Sequence, residues 1–203
     1  MTLIEVLMII AAIAVLAAMF LPALAAAKQK HSRIGCVNNL KEIDLAFRVW
    51  EGDNSDKLPM QFAVTNSDMM KLISSGNSYF FWQTISNELA TPRILHCPED
   101  TEHTEPTNNF LAGFNDAHIS YFFNLDGNEA DPQTILIGDD NLLVNGVRVR
   151  PGILNLSASN SIGWTKERHN GAGNIGLTDG SVQQVTSGGF KSALSTTNRL
   201  VIP

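Results

Sequence analysis

From Leu3 to Ala27 every residue is apolar or small except one, Glu5. The uncharged run from Val6 to Ala27 reaches roughly 33 Å as a helix at about 1.5 Å per residue, enough to cross a hydrocarbon core. Pro22 lies inside it. A proline removes one helical hydrogen bond and crowds the preceding turn, so a kink or local unwinding is expected between Ala18 and Pro22. Further on, Cys36, Leu40, Ile43, Phe47 and Trp50 recur at steps of 4, 3, 4 and 3, the stripe of a helix with one apolar face. Lys28, Arg33, Lys41 and Glu42 fall mostly off that stripe. The two halves predict one long helix, stopped by the breakers Glu51-Gly52-Asp53-Asn54-Ser55.

The middle of the chain is less periodic. Ser67 to Ser74 fits a short helix with Ser67 as its cap, and Phe80 to Ile85 fits either helix or strand. Thr101 to Asn109 is polar and contains proline, the composition of an exposed loop. Short β-rich runs come next at Ile119–Leu125 and Thr134–Ile137, separated by the turn signal Asp126-Gly127-Asn128. Asn174–Thr178 and Ser181–Val185 flank Asp179-Gly180, the strongest hairpin signal in the chain. Leu200 to Pro203 reads as an edge strand or a tail. The expectation is an α+β fold, a long N-terminal helix packed on a C-terminal antiparallel sheet domain. Its divisions are an apolar membrane or filament-core half (1–27), an amphipathic half (28–52) and a globular head (53–203).

Composition sharpens this. At 203 residues the chain can form one core with an appendage. The hydrophobic fraction of 44% is concentrated at the start, and the remainder of the chain is rich in Asn, Ser, Thr, Gly and Asp. A net charge of −6 argues against nucleic acid, which calls for Lys and Arg massed along one face. The basic concentration that exists, Lys28, Lys30, His31 and Arg33, lies directly after the apolar run.

Three structures would use such a run. A cleaved secretory signal begins with a positive region and has a shorter apolar stretch; here nothing basic precedes Glu5. A single-pass anchor fits the length, and its basic flank would hold the head in the cytoplasm. The third is a helix that packs beside copies of itself. A carboxylate in hydrocarbon costs on the order of a few kcal/mol and usually pairs or marks function. Glu5 lies four residues from the α-amino group of Met1, on the same helix face. The amino group of another copy, displaced by one assembly step, can meet it too.

Thr2-Leu3-Ile4-Glu5-Val6-Leu7, the apolar run and Leu21-Pro22-Ala23-Leu24 resemble the mature amino terminus of type IV pilins and type II secretion pseudopilins. Cys36-Val37-Asn38-Asn39-Leu40-Lys41, His96-Cys97-Pro98-Glu99-Asp100, and Arg168-His169-Asn170-Gly171 leading to Asp179-Gly180-Ser181-Val182 resemble a pilin-like group with prepilin-type amino termini. The resemblance implies removal of a leader by prepilin peptidase and methylation of the new terminus, here Met1. It also implies docking by the Glu at position 5 and assembly into an extracellular fibre by inner-membrane machinery. The family usually begins with Phe, where this chain has Met1. The expected function is a structural pilin subunit, not an enzyme. The alternative is a pseudopilin serving protein export, and a third possibility is a tethered binding module that never polymerises. Met1, Thr2, Glu5 and Pro22 are the assembly candidates.

Other chemistry is sparse. The two cysteines, Cys36 and Cys97, belong to no CxxC pair, which leaves zinc binding by the usual spacing unsupported. They are either two buried thiols or one disulfide; Cys36 on the inward stripe favours a bridge from helix to head, formed in an oxidising compartment. His31, His96, His103, His118 and His169 are scattered, and His169 is expected to be a turn residue rather than catalytic. No nucleophile elbow, HExxH or Walker loop occurs. Calcium is a weak candidate, with oxygen donors at Asp126, Asn128, Asp131, Asp139 and Asp140. Phe80, Phe81, Trp82, Tyr121, Phe122 and Phe123 are expected to divide between core and subunit contact.

Overall fold

The computed structural model describes residues 2–104, 106–128, 130–157, 159–194 and 198–203, without the side chains of Ala23, Ala25, Ala26 and Gln29. Helix α1 runs over Leu3–Asp53, 51 residues, or about 76 Å at 1.5 Å per residue. Helical structure is continuous through Pro22, so the unwinding expected there does not occur. Pro22 is solvent-exposed, so its ring meets no packing from the head. The helix ends at Asp53, with Asn54 as its C-cap, within the expected breaker cluster.

From Cys36 onward one stripe of α1 is sealed: Cys36, Leu40, Ile43 and Phe47 are fully buried, and Trp50 is half-buried. Burying such side chains is worth about 1.5–3 kcal/mol each, so this half of the helix is held by its tertiary contacts. The small helices α2 (Pro59–Thr65), α3 (Ser67–Ser74) and α4 (Tyr79–Thr84) cover the flank. The cap of α3 is Asn66, one residue before the expected Ser67; its Oδ1 accepts from the amides of Asp68 and Met69. Of the segment Phe80–Ile85, Phe80 to Thr84 is helical and Ile85 is the C-cap. Helix α4 wedges Phe81 and Trp82 between α1 and the sheet, with Trp82 stacked on Phe47 at 6.1 Å and Phe81 on Phe123 at 3.9 Å. Of the six aromatics, all but the half-buried Phe80 are sealed in the core.

Among the described residues the head is built on nine short strands: β1 (Tyr121–Asn124), β2 (Ile135–Asp139), β3 (Leu142–Val144), β4 (Val147–Arg148), β5 (Gly152–Leu156), β6 (Ile162–Trp164), β7 (Gly173–Leu177), β8 (Val182–Val185) and β9 (Asn198–Ile202). Helix α5 (Ser187–Ser192) lies between the last two. Six strands form an antiparallel sheet in the order β5-β9-β1-β2-β7-β8, and β4-β3-β6 form a second, smaller one. The C-terminal run is therefore neither edge nor tail. Strand β9 lies inside the large sheet, paired on one side with β5 and on the other with β1.

Side-chain alternation divides the large sheet between two cores. Tyr121, Phe123 and Val201 face the core shared with α1, whereas Phe122, Leu200 and Ile202 face the one shared with the small sheet and α5. A register shift between Ile135 and Ile137 breaks the alternation in β2. Leu136 and Ile137 both join the α1 side there, as a bulge allows. At the centre of the second core, a Cβ on Gly173 would lie 2.2 Å from the Trp164 ring; the indole can rest on β7 only because that position is bare.

Candidate assembly stem and its junction with the head

The first twenty residues of α1, Leu3–Pro22, form a stem apolar enough to cross a membrane, and none of it is buried against the rest of the chain. Leu3, Met19 and Phe20 are each more than 70% exposed. Monomeric soluble proteins rarely present so large a contiguous apolar surface, which calls for lipid or protein around it.

Glu5 also has a local role, one not anticipated from the sequence. Thr2 is the N-cap of α1, and the pair form a capping box: the Thr2 amide donates to Glu5 Oε2 at 2.6 Å, and the Glu5 amide donates to Thr2 Oγ1 at 3.4 Å. The signal was present, because Thr-x-x-Glu before an apolar run is the capping-box pattern. Two of the donors that a helix start leaves without an intrahelical partner are thereby satisfied. Met1 lies outside the described residues, so its expected pairing with Glu5 is not described.

Beyond the stem, in its second half, the helix is fastened covalently. Cys36 and Cys97 form a disulfide with Cα atoms 5.1 Å apart, which settles the choice left open between free thiols and a bridge. Asn39, one turn on, donates to the carbonyl of His96 at 2.9 Å and to the Tyr121 hydroxyl at 3.4 Å.

Beside the disulfide sit three dipeptides that the chain brings together from distant places: Glu99-Asp100, Asp139-Asp140 and Arg168-His169. Their members sort by position. The first acid of each pair faces His169, with Glu99 Oε2 2.7 Å from Nδ1 and Asp139 Oδ2 3.2 Å from Nε2. The second acid of each pair faces Arg168, with Asp100 at 2.6 Å and Asp140 at 2.7 Å. Arg168 also donates to the Ser120 carbonyl at 3.1 Å, and Glu102, paired in turn with Arg148, lies 3.6 Å away. His103 spans the two acids, with Nδ1 2.7 Å from Asp100 and Nε2 3.4 Å from Asp140. His169 and Asn170 both have positive φ, at 54° and 55°, so the expected turn is present. The burial of its histidine was not foreseen.

The electrostatics stem from this crowding. Burial alone would raise the Asp100 carboxyl, but the His103 hydrogen bond and the Arg168 charge outweigh it and hold Asp100 well below the usual carboxylate range. Burial pushes Asp140 up to about 6 against the pull of Arg168 and His103. His103 is raised, since its two carboxylates overcome the effect of its own burial. These are the marks of a structural ion cluster with its cation built in. Asp44, on the inward side of α1, is pushed up to about 6 by burial, with Arg48 opposing and Asp179 adding to the rise.

The calcium candidates are not brought to one place. Asp126 is taken by Arg199, which donates from its amide, Nε and Nη2 at 2.6–2.8 Å. Asn128 and Asp131 cap neighbouring amides, of Ala130 and Gln133. Asp139 and Asp140 stand at the opposite end of β2, in the junction beside the disulfide. Compared with family models, curated proteins and solved structures, this chain finds no match.

Proposed function

We propose that this chain is the structural subunit of a helical, type IV pilin-like extracellular filament. The observation that carries the reading is the stem: twenty residues, apolar but for Glu5 and uncovered by their own chain, continuous with a helix whose other half is sealed into the head. In this reading prepilin peptidase and inner-membrane machinery process the chain at Met1 and extract it from the membrane. The stem then leaves lipid for a fibre core made of the same segment in many copies. Lipid already shields Leu and Ile from water, so close packing and polar pairing decide the exchange. A surface repeated along one screw operation makes a heterologous contact that does not close, and filaments result from that geometry. The head forms the outer coat, and the disulfide keeps each stem at a fixed angle to it.

Glu5 then has two duties, the local cap and an ion pair with a neighbour's amino group. They separate experimentally. Glu5→Gln keeps an oxygen for the capping box and removes the charge, whereas Glu5→Ala removes both. Both variants are expected to remain membrane-inserted and to yield no fibres in electron microscopy of sheared surface material. Normal fibres from Glu5→Gln would confine Glu5 to the cap and refute the intersubunit pair. Wild-type material with only short or absent fibres would replace the pilus reading with that of a secretion pseudopilin.

A further inference from the structure

The Cys36–Cys97 disulfide is flanked by a built set of donors. His169 Nε2 lies 3.5 Å from Cys97 Sγ, and one donor atom from each of Cys36, Cys97 and His169 falls within 4.8 Å of the other two. All three residues are buried, with His169 the most exposed at 2%. Asp139 Oδ2 stands 3.2 Å from the same Nε2, held there by the amide and Nδ2 of Asn174 at 2.7 and 2.9 Å. Its other oxygen, Oδ1, is buried and has no hydrogen-bond partner among the described residues. An unsatisfied buried carboxylate oxygen carries a desolvation penalty and calls for an explanation. On the far side of the ring, Glu99 Oε2 lies 2.7 Å from Nδ1. Nδ1 itself has no aligned hydrogen-bond partner among the described residues, so Glu99, held beside it by the His169 amide at 3.1 Å, is the carboxylate placed to orient the ring once a metal takes Nε2.

The geometry points to a metal site masked by the disulfide: once the bond is reduced, Cys36 Sγ, Cys97 Sγ and His169 Nε2 bind one divalent cation of the zinc class, with water as the fourth ligand. Two sulfurs and one imidazole nitrogen are borderline-soft donors that suit tetrahedral zinc, with bonds of about 2.0–2.3 Å and a water completing the shell. A dithiol reductant supplies two electrons and two protons to the Cys36–Cys97 bond and itself becomes a disulfide. The cation then displaces both thiol protons to solvent. In reverse, a disulfide oxidant takes two electrons from the thiolates and two protons from solvent, the Cys36–Cys97 bond reforms, and the cation leaves. The metal-bound form holds α1 on the head in the interval before oxidation, whatever the stem then does. The neighbouring group Asp100, His103 and Asp140 is no rival, because Arg168 already fills it and His103 spends its two nitrogens on different acids.

The test uses the full chain in detergent, reduced with a dithiol, desalted without oxygen and titrated with Co²⁺ and then Zn²⁺. One Co²⁺ per reduced chain is expected, with thiolate charge-transfer and tetrahedral visible bands that Zn²⁺ abolishes, and none for the oxidised chain. Binding is expected to raise the melting temperature of the reduced form. His169→Asn suits the positive φ at that position and keeps both thiols. It is expected to weaken binding at least tenfold and to change the visible bands, and Glu99→Gln to weaken it about 10–100-fold. Reduced protein that binds no more metal than oxidised protein overturns the proposal. So does affinity unchanged in His169→Asn, or a reduced head that unfolds and is not restored by cobalt or zinc.

Discussion

Arg168 Nη2 lies 2.6 Å from Asp100 Oδ2, and neither side chain exposes more than 1% of its surface. A guanidinium so enclosed is tolerable only because two carboxylates and a carbonyl meet it, and the converse holds for the acids. Arg168→Met is expected to destabilise the head by about 3–5 kcal/mol, since it leaves Asp100 and Asp140 buried without their cation. Adding Asp100→Asn and Asp140→Asn to that variant is expected to recover part of the loss. Chemical denaturation of the three proteins checks this.

The same cluster fixes a pH window. Asp100 has its folded value lowered, so its contribution is complete above its unfolded value, about pH 4, and fades as pH falls through the folded value. His103 has its folded value raised, so its contribution is complete below about pH 6.5 and fades as pH rises through the folded value. Their joint stabilisation is greatest between about pH 4 and 6.5. His103→Gln is expected to lower the melting temperature more at pH 5 than at pH 8.5.

Asp44 works in the opposite sense. Its carboxyl is raised from 3.8 to about 6 by burial, and its Oδ1 has no hydrogen-bond partner among the described residues. A raised acid favours the fold while protonated and costs stability as pH climbs past the folded value. Asp44→Asn is expected to stabilise the head at pH 8 by about 1–3 kcal/mol and to change little at pH 4. Urea midpoints at the two pH values decide it.

The disulfide joins residues 61 apart in sequence. Closing a loop of that length in the unfolded chain is worth about 4 kcal/mol by chain entropy. Cys36→Ser with Cys97→Ser is expected to lower stability by roughly that amount or less, measured under non-reducing conditions against wild type.

How far these features could be foreseen depended on the range of the interaction that sets them. The stem, the stripe from Cys36 to Trp50 and the Asp179-Gly180 hairpin arise from local periodicity and turn chemistry, and were legible. The place of β9 was not. Leu200, Val201 and Ile202 are apolar at successive positions because the strand is buried on both faces, and a short apolar run at a chain end does not say where it pairs. The Arg168 and His169 cluster joins segments up to about seventy residues apart. Its only local trace is a charged dipeptide in each segment, which by itself looks like a solvated turn. The capping box is fully local, yet an acid inside an apolar run draws attention to a partner in another subunit and away from the amide three residues before it.

The central claim is that stems from successive subunits lie side by side around one axis. Helical reconstruction of purified fibres by electron cryomicroscopy tests it most directly. The account predicts residues 3–22 of many copies packed into a common core, each Glu5 beside the amino terminus of a neighbour. Fibres whose stems lie apart in lipid, or a chain found only as membrane-embedded single copies, would contradict it.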